Sequence, residues 1–143
     1  MPYCNIMIHA IWSTKNRLPL ITKELKPLLL QHIKDNSVMK GIFIDKMNCT
    51  SDHIHVLISL GADQTIAKTT GLIKGESSNW VNKQKITQGK FEWQEEYIAL
   101  SVSYSVTDAV RKYIMNQEEH HRKKTFTEEY NEFLKIANQK GLV

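Results

Sequence analysis

The stretch Asp52-His53-Ile54-His55-Val56-Leu57-Ile58-Ser59-Leu60 decides how the chain folds. From Ile54 to Leu60 it is β-branched and apolar, and it reads as a strand. Residues two apart in a strand share a face, so His53 and His55 point one way and Ile54 the other. The polar run Asn48 to Asp52 precedes it, and Gly41 to Cys49 before that carries Ile42, Phe43 and Ile44. Two strands joined by a short polar stretch predict a hairpin.

Upstream, Asn5 to Ser13 reads as a further strand. Ile6, Ile8, Ala10 and Trp12 alternate, and Ile11 between them implies that both faces are buried. Lys15, Asn16, Arg17 and Pro19 form a basic loop. Thr22 is placed to cap a helix with Leu25, Leu28, Leu29 and Ile33 on one stripe, and Pro27 makes its first turn irregular or its start later. Downstream, Asp63 is the expected cap of a second helix bearing Ile66, Thr70, Ile73, Ser77, Trp80 and Val81, with Gly71 and Gly75 weakening it. Lys83 to Lys90 is a polar loop. Tyr97 to Ser105 is a fourth strand, and a third helix runs from about Thr107 to Glu119. Thr125 and Glu128 match a capping box for a last helix ending near Gly141. The order strand, helix, strand, strand, helix, strand predicts an α+β fold of the ferredoxin-like or RRM-like split βαβ type. It is an antiparallel four-stranded sheet under two helices, with further helices at the C-terminus.

The length of 143 residues suits a single domain spanning 1–143. A net charge of +4 permits a polyanionic partner without requiring one. Cys4 and Cys49 form no C-x-x-C pair and read as reduced, buried thiols. The sequence has no run of membrane-span length and no secretory leader, so the expected location is the cytoplasm.

Three features bear on chemistry. His53 and His55 can share one divalent cation from a single strand face, with Asp52 either orienting an imidazole or serving the turn. Polar surface is the other reading of the same spacing. Tyr113 and Gln117 stand four apart on the third helix, whose stripe is Ala109, Val110, Tyr113 and Ile114. Gln117 falls where that stripe should continue, so it needs a partner if buried; the alternative is core packing by Tyr113 and a frayed Gln117. Basic residues are spread along the chain, among them Lys15, Arg17, Lys74, Arg111, Arg122 and Lys123. They are solvated surface unless the fold gathers them round the histidines. Trp80, Phe91 and Trp93 are core or base-stacking groups, with Trp80 assigned to the core. His120 and His121 diverge on a helix and make a poor chelating pair, and His9 and His32 stand alone as structural residues.

Taken in order, these pieces resemble the transposases of small insertion sequences of the IS200 group, and the related tyrosine transposases associated with repetitive extragenic palindromes. The resemblance runs over nearly the whole chain. It rests on His9 to Lys15 with Arg17 and Pro19, on Asp52 to Ser59, on Lys74 to Ser78, on Phe91 to Tyr97 with Ser101 to Ser103, and on Tyr113 to His121. Glu96 departs from the glycine usual in the family at that position. The resemblance implies that Tyr113 is the nucleophile and that His53, His55 and Gln117 hold Mg2+ or Mn2+. The implied substrate is single-stranded DNA marked by hairpins. A homodimer is implied too, in which the tyrosine helix of one subunit completes the site of the other. Other readings are a domesticated enzyme processing repeated palindromic hairpins, a nonenzymatic ferredoxin-like nucleic-acid-binding dimer, and a metal-dependent phosphoesterase using water.

Overall fold

The computed structural model describes residues 2–117, 127–129, 131, 132 and 135. The chain runs β1 (Met7–Ser13), α1 (Leu25–Met39), β2 (Phe43–Cys49), β3 (His53–Ser59), α2 (Ile66–Gln84), β4 (Ile98–Val102) and α3 (Thr107–Met115). The four strands form one antiparallel sheet in the order β2-β3-β1-β4, the split βαβ arrangement expected from the pattern.

Alternation divides the sheet into two faces. Ala10 and Trp12 from β1, and Ile54, Val56 and Ile58 from β3, turn towards α1 and α2. There they meet Leu25, Leu29, Ile33, Ile73 and Val81 in the main core. The opposite face carries Met7 and Leu57, which pack against Ile114 of α3, with Val102, Val110 and Tyr113 around them. Both faces of β1 are therefore buried throughout, as Ile11 implied. Full burial of Ile114 alone contributes about 1.5–3 kcal/mol to seating α3.

Thr22 Oγ1 accepts from the Leu25 amide at 3.1 Å, as expected. Pro27 sits in the first turn of α1, where an amide donor is not needed, so the helix is not delayed. Leu28 departs from the expected stripe and is exposed. The cap of α2 is Thr65, whose side chain accepts from Lys68 N, and not Asp63. Hydroxyl and carboxylate caps are equivalent at sequence level, and the strand end at Ser59 leaves room for the later one. Gly71 and Gly75 do not interrupt α2, because its buried stripe of Thr70, Ile73, Ser77 and Val81 outweighs their propensity cost.

The aromatic residues of the segment after α2 belong to the core. Phe91 and Trp93 are buried edge-to-face at 4.8 Å, and Trp93 Nε1 donates to Ser77 Oγ. Trp80 is half-buried and stacks on His32 at 4.1 Å, while His32 pairs with Glu76. Cys49 is buried and its thiol is pushed up to about 12 by that burial. Cys4 is exposed, contrary to expectation, because it precedes β1 and joins no packed element. No described helix is long and apolar enough to cross a membrane.

Candidate active site

The histidine strand pairs with β1 and β2 on either side. In these ladders Ser13 stands opposite His53, and Ile11 and Asn48 stand opposite His55. Both imidazoles are fully buried, on the face that α3 covers. Their rings lie 5.1 Å apart between centroids. A buried imidazole must satisfy both nitrogens, and each here has an orienting partner. His53 Nδ1 lies 2.9 Å from Asp52 Oδ1 and 2.8 Å from Thr50 Oγ1. Asp52 thus orients the ring as well as ending the hairpin. With its proton on Nδ1, His53 keeps the Nε2 lone pair for a ligand.

His55 Nδ1 lies 2.8 Å from His9 Nε2. His9 is thus not a lone structural histidine. It shares a face with Ile11 on β1, diagonal to His55, and the signal for this was its parity in the strand. Burial, reinforced by His55, lowers its pKa to about 3, so His9 is neutral at pH 7. When the His55 proton sits on Nδ1 and is donated to His9, Nε2 is the nitrogen that would ligate.

A residue missed at sequence level completes the cluster. Glu129 is buried, with Oε1 2.8 Å from His55 Nε2. Donor atoms of His53, His55 and Glu129 all lie within 4.8 Å of one another, a spacing suited to one cation. The stretch around Glu129 reads as an ordinary charged helix, and nothing local marks it as buried. The Tyr113 ring sits edge-on to His55 and His9, at 5.7 and 6.2 Å between centroids. Its hydroxyl donates to Glu129. Burial, and then the carboxylates of Glu129 and Glu132, push the phenol well above its ordinary range.

Gln117 is fully buried beyond the end of α3, which is interrupted at Asn116, and the expected helix end at Glu119 lies outside the described residues. Its Nε2 donates to Tyr113 O at 3.1 Å, but Oε1 has no hydrogen-bond partner among the described residues. An orphaned buried amide oxygen costs about 1–3 kcal/mol, and a cation would satisfy it. The clustered residues fit a divalent ion: two imidazole nitrogens and a carboxylate, a donor set that suits Mn2+ and admits Mg2+. Gln117→Leu should raise the stability of the metal-free protein by about 1 kcal/mol and weaken Mn2+ binding about ten-fold. Chemical denaturation and calorimetric titration check the two effects separately.

The predicted DNA contacts among the described residues are engaged within the protein. Lys15 Nζ pairs with Glu92 at 3.1 Å, and Lys74 Nζ donates to Glu95 O at 2.7 Å beside the Tyr97 ring. Arg17 donates to Thr127 Oγ1, two residues before Glu129. Asn16 and Arg17 both adopt left-handed backbone, at φ 58° and 55°, which costs about 1–2 kcal/mol per residue. A hydrogen bond from Asn16 N to Gln94 Oε1 helps to hold that turn. Arg111 forks its guanidinium onto Asp45 at 2.7 and 2.8 Å and also reaches Asp108. Ala109, placed on the apolar stripe, is exposed, and Val110 takes that side of the helix. Arg122, Lys123, His120, His121 and Thr125 lie outside the described residues.

Fold and site together define a ferredoxin-like α+β protein whose second sheet face holds a histidine, carboxylate and tyrosine centre. Residues 2–117 match the family described as IS200-like transposases, and the chain belongs to that family. The chain is 28% identical over 115 residues to the ISDra2 transposase TnpA of Deinococcus radiodurans, covering 76% of this chain and 81% of that one. A Deinococcus radiodurans crystal structure assigned as a transposase superposes with a TM-score of 0.65 at 24% identity, over 82% of this chain and 95% of that one. A REP-associated tyrosine transposase bound to a REP hairpin superposes with a TM-score of 0.63 at 16% identity, over 85% and 72%. These two likenesses show the shared fold.

Proposed function

We propose that this transposase cuts and rejoins single-stranded DNA at hairpin-marked ends of its element through a 5′-phosphotyrosine at Tyr113, with Mg2+ or Mn2+ held by His53, His55, Gln117 and Glu129. The observation that carries this reading is the convergence of Tyr113, two oriented buried histidines and Glu129 on one face of the sheet. A water-using phosphoesterase would have no use for a phenol there, and a binding protein no use for the orphaned Gln117 oxygen.

The residues divide the work. Glu129 receives the hydrogen bond of the Tyr113 hydroxyl and orients its oxygen. Asp52 and His9 fix the two imidazoles. Packing of α3 on the sheet holds the tyrosine ring half-buried against that face. When bound, a divalent ion supplies positive charge against the phosphate oxygens and favours the phenolate. The Tyr113 oxygen forms a new bond to phosphorus, the bond from phosphorus to the 3′ oxygen breaks, and the phenol proton leaves as a 3′ hydroxyl gains one. The ester energy stays in the phosphotyrosine, so a later 3′ hydroxyl reverses the step on another strand without a nucleotide cofactor.

The hairpin in the REP-associated neighbour supports a hairpin substrate here. Lys15, Arg17 and Lys74 flank the segment 92–97 and are the proposed phosphate contacts, once freed from their present partners. The cytoplasm is the proposed location. Joining two strand ends takes two tyrosines, hence a homodimer. The resemblance implies exchange of the tyrosine helix, whereas the seating of α3 on β2 and β3 of its own chain favours a site built within each subunit. Mixing Tyr113→Phe protein with His53→Ala/His55→Ala protein should then give no cleavage, and recovered cleavage would mean exchange. The reading as a whole is tested with single-stranded oligonucleotides from both flanks of the gene, labelled at either end, with Mn2+. The 3′ fragment should become protein-linked and the 5′ fragment should end in a free 3′ hydroxyl. Products carrying a 5′ phosphate and no protein would point to water as nucleophile.

A further inference from the structure

Strand β2 is an edge strand, and its pairing with β3 slips between Ile44 and Lys46. Ile44 stands opposite Ile58 and Lys46 opposite Leu57, so Asp45 is the extra residue of a bulge. A bulge bends a strand and re-aims its side chains. The consequence shows in the parity. Ile44 and Met47 both pack against the main core although they are three apart, which regular alternation forbids. Asp45 and Asn48, also three apart, both reach α3 on the opposite face.

The two side chains grip α3 on either side of Tyr113. Asp45 takes the fork of Arg111, two residues before the tyrosine, at 2.7 and 2.8 Å. Asn48 Nδ2 donates to Ile114 O and Met115 O, just after it, at 3.1 and 3.2 Å. Asn48 Oδ1 accepts from Cys49 N, which fixes the orientation of the amide. Asn48 is also the cross-strand partner of His55. One residue therefore ties the backbone after the tyrosine to the register of the histidine strand.

We propose that Asp45 and Asn48 form a two-point clamp, built by the bulge, that positions Tyr113 over His53 and His55 for attack. This rests on the reading of Tyr113 as nucleophile. The clamp touches no substrate; it acts through the placement of α3. A misplacement of about 1 Å at a reacting atom lowers rate by about 100-fold.

The test is the double variant Asp45→Ala/Asn48→Ala, with the charge exchange Asp45→Arg/Arg111→Asp as the rescue. Single-turnover cleavage in Mn2+, Mn2+ affinity, affinity for the single strand and melting temperature are measured on each. In parallel, 3-fluorotyrosine is incorporated and the Tyr113 resonance is assigned by its loss in Tyr113→Phe. The clamp predicts a fall in single-turnover rate of about 10–100-fold. Mn2+ and DNA affinities should stay within about two-fold, the Tyr113 resonance should move, and the charge exchange should recover most of the rate lost by Asp45→Ala alone. An unchanged rate and resonance in the double variant would overturn the proposal. So would a joint fall of Mn2+ affinity, DNA affinity and melting temperature, which would make Asp45 and Asn48 supports of the fold only. If the wild-type protein forms no adduct while the resonance still moves in the double variant, the clamp stands and the nuclease reading falls.

Discussion

Tyr113→Phe should abolish cleavage, lowering the rate by about 10^4-fold or more, while leaving the fold and DNA affinity nearly intact. The change removes one oxygen, and with it the only atom of that ring able to attack phosphorus. The ring contacts with His9 and His55 survive in phenylalanine. The loss to stability is the hydrogen bond to Glu129, about 1 kcal/mol, offset in part because a buried hydroxyl no longer needs a partner. Affinity for a single-stranded hairpin, measured by anisotropy, should stay within about two-fold, because phosphate contacts come from other residues. A variant that still cleaved would remove the tyrosine from the mechanism.

His53→Ala/His55→Ala should weaken Mn2+ binding by at least about 100-fold, since removing the residues that merely orient metal ligands already costs about 10–100-fold. Cleavage should fall with it. Both side chains are fully buried, so the substitution also leaves cavities and strips partners from His9, Asp52 and Glu129. That costs about 2–5 kcal/mol of stability. The conservative pair His53→Asn/His55→Asn separates the two effects, because it fills more of the space but offers weaker ligands. Calorimetric titration with Mn2+ reads the affinity directly. Unaltered affinity in either double variant would place the ion elsewhere.

The fold was legible because its signals are local. Alternation in Asn5 to Ser13 and Ile54 to Leu60, and the stripes in α1 and α2, each state a face to bury, and the order of elements leaves few topologies. The shared face of His53 and His55 was legible for the same reason: two positions on one strand carry it. What escaped depends on contacts between distant elements. His9 and Glu129 lie 46 and 74 residues from His55, and no periodicity links them. The bulge at Asp45 was invisible because Ile42, Phe43 and Ile44 read equally well as a regular strand. The Arg111–Asp45 pair was equally invisible, since 66 residues separate the two. Surface charge is the least legible property of all, since its partners are set by the fold rather than by neighbours in sequence.

The most direct measurement is mass spectrometry of the protein–DNA adduct, trapped on a flanking single-stranded oligonucleotide in Mn2+, digested with trypsin and nuclease, and sequenced. The account predicts a nucleotide joined through its 5′ phosphate to Tyr113, present with Mn2+ and absent when the ion is chelated. An adduct on Tyr97, Tyr104 or any other residue, or cleavage with no adduct at all, would contradict it.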